Sequence, residues 1–171
     1  KSKKNTIEPA KMIEKYGADA VRHFILSDSP PEKDVKWSEE GMIASYKFIQ
    51  KLWGLHNKIK SILNGEIITD KKINKTEEVN KFTNQMIEKI THNIEKFNYN
   101  VIIANLYEIY NFYNKQTNFY IDKNTIEKTY INILLLIFPV IPHFAQEGLS
   151  EMNFKSEAKW PIAEKKYLIE D

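Results

Sequence analysis

The chain has 171 residues, 42% of them hydrophobic and 28% charged, with a formal net charge of +2. That length can bury a core of useful size in one or two small domains, and the near-neutral balance excludes a global cationic field, so any nucleic-acid contact has to come from local patches. Cysteine is absent, which excludes a disulfide framework and a thiolate metal site and is compatible with a cytoplasmic location.

The chain opens "KSKKNTIEP", with lysine at three of its first four positions. Pro9 then suits the first helical position, where its missing N–H costs nothing. Ile7, Met12, Ile13 and Tyr16 form one apolar side, and Gly17 suits a helix end. "ADAVRHFILS" restarts a helix. Asp19 and Arg22, three apart within it, have the spacing of a surface ion pair. Pro30 and Pro31 forbid helix, and Val35 and Trp37 alternate with charged residues as in a brief extended piece.

Ser38 is a good N-cap, with Glu39 and Glu40 complementing the helix dipole. The spacing of Ile43, Tyr46, Ile49, Leu52, Trp53, Leu55, Ile59 and Leu63 predicts a helix over 39–63, stopped by Gly65. "EIITDKKINKTEEVN" lacks a period and reads as a connector. Thr76 reads as the cap of a second long helix through Phe97. A third is expected over 100–119, and a fourth from about Thr125 through Phe138. Pro139 and Pro142 force a kink, and "HFAQEGLSEM" completes the last helix. The stretch from Ile131 to Ala145 is the most apolar, but it holds an asparagine and two prolines and falls short of the ~20 residues a membrane span needs. It reads as a buried core helix. The resulting expectation is all-α: an antiparallel four-helix-type bundle preceded by a short helical connector.

The residues that carry chemistry are few. His23, His56, His92 and His143 lie far apart and none has a partner at metal-ligand spacing, so no metal site is expected. No nucleophile elbow and no phosphate-cradling glycine loop occurs. On the predicted long helix, Lys47, Lys51 and Lys58 fall near one face, with Lys60 close by in sequence and Trp53 and His56 not far around it. Such a stripe can track phosphates without reading sequence, and it can equally be a solvated helix face. Gly148, inside the last helix, should weaken that turn by roughly 1 kcal/mol relative to alanine.

"YGADAVR", "SPPEKDVKWSEEGM" with "FIQKLW", and "FPVIPHFAQEGL" carry the argument further. Together they resemble class I aminoacyl-tRNA synthetases just after the KMSKS loop, with the best match to the leucyl family. The other large editing-type synthetases share the first element, and the isoleucine and valine families diverge in the second; the same domain of an isoleucine, valine or methionine enzyme is the nearest alternative. "QEGLSEM" departs from the usual ending of the third. The resemblance implies that Lys1 and Ser2 are the last two residues of the KMSKS loop, with Lys1 in the place that faces ATP. It implies a connector over 1–36, a helical anticodon-binding domain over 37–153, and an extended tail over 154–171. The implied partner is tRNA(Leu), held through its backbone, with Lys47, Lys51, Lys58 and Lys60 as candidate contacts. The rest of the synthetase would be joined in cis, the state monomeric, and the location cytoplasmic. ATP and Mg2+ would serve the parent enzyme. A fragment without the rest of the catalytic domain is expected to be inactive and to bind no cofactor. A helical protein-interaction module without a tRNA role is the alternative from another class.

Overall fold

The computed structural model describes residues 6–169. Among them are seven α-helices and one short 3-10 turn. They are α1 (Pro9–Tyr16), α2 (Ala18–Asp28), α3 (Glu39–Leu63), α4 (Thr76–Glu95), α5 (Tyr99–Gln116), α6 (Lys123–Ile137) and α7 (Pro142–Glu151), with the turn at Lys165–Tyr167. No strand forms among the described residues. Asn74 and Tyr120 make an isolated bridge that ties the α3–α4 loop to the α5–α6 loop. Lys1 and Ser2 lie outside the described residues.

The helix boundaries follow from local chemistry. Ser38 caps α3, its hydroxyl accepting from the Gly41 N–H at 3.1 Å. Gly65 ends the same helix with φ +76°, and the Glu66 N–H returns to the Ser61 carbonyl at 2.9 Å, the paired closure of a Schellman motif. Asp122 caps α6, accepting from the Thr125 N–H at 3.1 Å. Thr76 does not cap α4. It is the first helical residue, and the Asn74 side chain accepts its N–H at 2.9 Å. The Thr76 hydroxyl instead accepts from the Asp122 N–H at 2.8 Å. A cap at Thr76 would accept an N–H two or three residues further on; instead Asn74 accepts the Thr76 N–H, a turn that the local sequence pattern does not distinguish from a cap.

α3 to α6 enclose the main core, built on Ile59, Val79, Met86, Ile90, Ile102, Leu106, Ile126, Leu134 and Leu136, with α7 packed beside α6. Phe82 and Phe112 stack face to face across α4 and α5, with ring centroids 3.8 Å apart. Tyr113 is fully buried, its hydroxyl 2.7 Å from Thr83 Oγ1. Since that threonine donates to the Val79 carbonyl, Tyr113 donates to the threonine. Burial pushes the Tyr113 phenol up to about 12, so it stays a donor. α2 packs against α3, α5 and α7, forming a small second core of Ala20, Phe24 and Met42.

Candidate nucleic-acid interface and the connector joint

α3 presents the lysines. Lys47, Lys51 and Lys58 are separated by four and seven residues, which returns each to nearly the same side of the helix. Lys47 and Lys51 are exposed and have no hydrogen-bond or ion-pair partner among the described residues. Lys58 leans onto the end of α5, donating to the Asn118 side chain at 2.7 Å and the Asn114 carbonyl at 3.3 Å. Partial burial lowers its pKa from the ordinary lysine value. Lys60 lies on the other flank of α3 and binds Glu151 at 2.6 Å. The four sequence candidates are therefore one open pair, one neighbour engaged with α5, and one residue facing away toward α7.

Trp53 and His56 do not join the lysine stripe. Trp53 stacks on His56, ring centroids 4.6 Å apart, and His56 is fully buried. His56 Nε2 lies 2.9 Å from Glu151 Oε2, and Nδ1 lies 2.7 Å from the Tyr130 hydroxyl. A carboxylate only accepts, so Nε2 carries the proton and Nδ1 accepts from Tyr130. Burial lowers the pKa of His56 and holds that of Tyr130 well above its ordinary value, consistent with both groups being neutral. Hydrogen bonds from Lys60 and then His56 lower Glu151. This network locks α3, α6 and α7 together. Among the described residues no group of His, Cys, Asp and Glu is placed to hold a metal ion.

Asp19 and Arg22 do not pair with each other as their spacing suggests. The Asp19 carboxylate reaches across to the start of α7, accepting the Phe144 N–H at 2.6 Å and the His143 N–H at 3.3 Å. Its Oδ1 also lies 3.0 Å from His143 Nδ1. α7 begins with Pro142, which has no N–H, and its own N-cap residue, Ile141, is apolar and makes no cap. Asp19 thus caps α7 from another helix, placing negative charge at the positive end of its dipole. Arg22 serves the other end of the same turn. Its Nε donates to the Val140 carbonyl at 2.9 Å and its Nη2 to the Pro139 carbonyl at 2.7 Å. Asp19 is buried, so its bonds to the α7 amides are the stronger half of the joint, while those of the exposed Arg22 are weakened by solvent and act mainly on geometry. The two sequence elements "YGADAVR" and "FPVIPHF" are the two halves of one contact.

A family model described as the anticodon-binding domain of tRNA ligase matches residues 76–171, and one described as tRNA synthetases class I (I, L, M and V) matches residues 1–38. The chain belongs to the anticodon-binding domain family of tRNA ligases. Its relatives refine that. It is similar to the leucine–tRNA ligase of Orientia tsutsugamushi, 37% identical over all of this chain and 20% of that protein. The leucine–tRNA ligase of Novosphingobium aromaticivorans is 34% identical over all of this chain and 19% of its own length, and that of Petrotoga mobilis 36% over 98% and 22%. The chain therefore spans about a fifth of these relatives. The fold resembles a LeuRS of Agrobacterium radiobacter K84, solved as a ternary complex with tRNA and LeuAMS, at TM-score 0.83 and 20% identity over 99% of this chain and 23% of that one. Neither family match includes residues 39–75, so α3 and its lysines rest on the whole-length relatives. No helix among the described residues is long and apolar enough to cross a membrane.

Proposed function

We propose that this chain is the tRNA-docking part of a leucine–tRNA ligase. The observation that supports it best is homology to leucine–tRNA ligases along the entire chain, joined to an all-helical fold of the anticodon-binding family. In this reading residues 1–36 are the connector, 37–153 the tRNA-binding bundle and 154–171 a linking tail. The whole ligase would join leucine to tRNA(Leu) through leucyl-adenylate, using ATP and Mg2+ in the cytoplasm, as a monomer. Lys1 and Ser2 would end its KMSKS loop. Lys1 would face the ATP phosphates, where a positioned ammonium stabilises the charge that grows during adenylate formation.

The bundle's part is to hold the tRNA backbone. Lys47 and Lys51, open and on one side of α3, are the leading candidates. Lys58 extends their row, and Lys60 would contribute only by releasing Glu151. Lysines spaced along a helix give charge to phosphates and carry no base readout.

Titration of tRNA(Leu) and of unrelated tRNAs against the chain at two salt concentrations tests this. Affinity is expected to fall steeply with salt. Lys47→Gln with Lys51→Gln should weaken all tRNAs about equally and reduce the salt slope by about 1 for each phosphate no longer neutralised. No binding at low salt would favour a protein-interaction module instead. Leucine-dependent pyrophosphate exchange is expected from the full ligase and not from this chain alone.

A further inference from the structure

α2 has two working sides. Asp19, Arg22 and Leu26 fall on one, by helical spacing, and the first two grip the α6–α7 turn. Val21 and Ile25 fall on the other. There they join Ile7, Met12, Val35 and Trp37 around an open apolar groove of about 530 Å³. α2 is thus held to the bundle by polar bonds on one side and carries exposed apolar surface on the opposite side.

The polar side is more than helix capping requires. A serine or aspartate at position 141 would cap α7 from within, yet that position is a fully buried isoleucine. The cap is supplied instead by a residue 125 positions earlier, and the carbonyls before it are satisfied from 117 and 118 positions away. Two charged groups bind the two ends of one turn. Two anchors fix both the slide and the rotation of α2 against α6 and α7, which a single bond would not. Elsewhere α2 meets the bundle through the apolar contacts of Ala20 and Phe24, which are less directional, and through His23, whose Nδ1 lies 2.8 Å from Ser45 Oγ and so ties α2 to α3 rather than to α6 or α7.

We propose that Asp19 and Arg22 are positioning residues for tRNA charging. They hold the helical bundle in register with the part of the ligase that carries the reacting groups. This role rests on the ligase reading above. Neither residue touches substrate. They act by fixing where a tRNA docked on the bundle presents its end, and small misplacement of a reacting group is costly to rate.

The test uses the full-length ligase that contains this sequence, with Asp19→Asn, Arg22→Gln and Arg22→Lys. Asparagine and glutamine keep much of the shape, and the assays are run well below each variant's melting temperature. Leucine-dependent pyrophosphate exchange without tRNA is expected to stay within about twofold and tRNA affinity within about threefold, while kcat for charging falls by ~10-fold or more. Arg22→Lys should recover part of the loss seen with Arg22→Gln, since an ammonium can still reach one carbonyl. Val79→Ala, a core truncation in the first turn of α4 and away from the joint, should leave charging kcat near wild type despite lower stability.

Exchange and charging falling together would reduce the pair to a structural role and overturn the proposal. Charging that survives in both Asp19→Asn and Arg22→Gln would also overturn it. A wild-type enzyme with no leucine-dependent exchange would overturn the ligase reading itself, and this role with it.

Discussion

Gly148 shows how a residue-scale cost can be set by a neighbour rather than by the helix that contains it. A Cβ there would lie 2.8 Å from Leu134 Cδ2 and 3.5 Å from His56 Cε1. Leu134 is fully buried, so its side chain has little room to swing away. Alanine would gain roughly 1 kcal/mol of helix propensity and lose about 1–3 kcal/mol to overpacking. Gly148→Ala is therefore expected to lower stability by about 1 kcal/mol, read as a lower urea midpoint at unchanged slope. An increase would show that Leu134 moves aside freely. Helix propensity marks this glycine as a weak point. The close approach of α7 to α6 and α3 that requires it is visible only in three dimensions. The same holds for Asp19 and Arg22. Their three-residue spacing suggests a local pair, while their real partners lie at 139–144, beyond the reach of any spacing rule.

At the scale of elements, α4 and α7 end in the same way as α3, but without glycine. The Asn98 N–H returns to the Asn93 carbonyl at 2.8 Å, and the Phe154 N–H to the Leu149 carbonyl at 3.0 Å. The residues that turn left-handed are Phe97 and Asn153, each with φ 55°. Asparagine tolerates this conformation, whereas phenylalanine pays about 1–2 kcal/mol for it. Phe97 is also 67% exposed, so its ring recovers little by burial. Phe97→Gly is expected to raise stability by about 0.5–1 kcal/mol after the entropy glycine adds to the unfolded chain is subtracted. Thermal and urea unfolding of the variant would check it, and a loss would mean that the contact of Phe97 with Tyr99 outweighs the strain. The helices themselves were legible. α3 runs over Glu39–Leu63 as the apolar spacing and Ser38 predict, and the restart at Gly17 falls where expected. Apolar periodicity survives tertiary context because each face must be buried somewhere. Cap identity at α4 did not survive, because the Thr76 hydroxyl is taken by the Asp122 N–H of a distant loop while Asn74 accepts the Thr76 N–H. Of the candidate interface, the shared side of Lys47, Lys51 and Lys58 followed from helical spacing. The engagement of Lys58 with α5 and of Lys60 with α7 depends on which helices pack alongside, which periodicity does not encode.

At the scale of the whole molecule, two histidines sit in the seams between helices. His56 joins α3 to α6 and α7, and His23 seats α2 on α3, its Nδ1 2.8 Å from Ser45 Oγ. His23 is 1% exposed, enclosed by the Phe48 and Tyr107 rings, and its Nε2 has no partner. Across the seam α3 offers it Ser45 and Phe48 and α5 offers Tyr107, whose phenol burial pushes up and keeps neutral in acid. Burial accordingly lowers its pKa from 6.5 to about 4. Between those values the unfolded chain binds a proton that the folded chain refuses. Stability is therefore full above pH 6.5, falls as the pH drops toward 4, and loses no more to this group below that. The shift corresponds to about 3 kcal/mol at its full extent. His56, lowered by burial as well, acts in the same direction. Carboxylates such as Glu151, held low by Lys60 and His56, lose their contribution as the pH falls through their own folded values, so wild type alone cannot isolate the histidine. The difference between wild type and His23→Gln can. Glutamine keeps a polar group near Ser45 but does not titrate. Its deficit in urea-unfolding free energy relative to wild type is expected to be largest at pH 7 and to shrink by about 3 kcal/mol on going to pH 4. A deficit that stays constant across this range would mean that His23 protonates in place, and that the seam between α2 and α3 admits water.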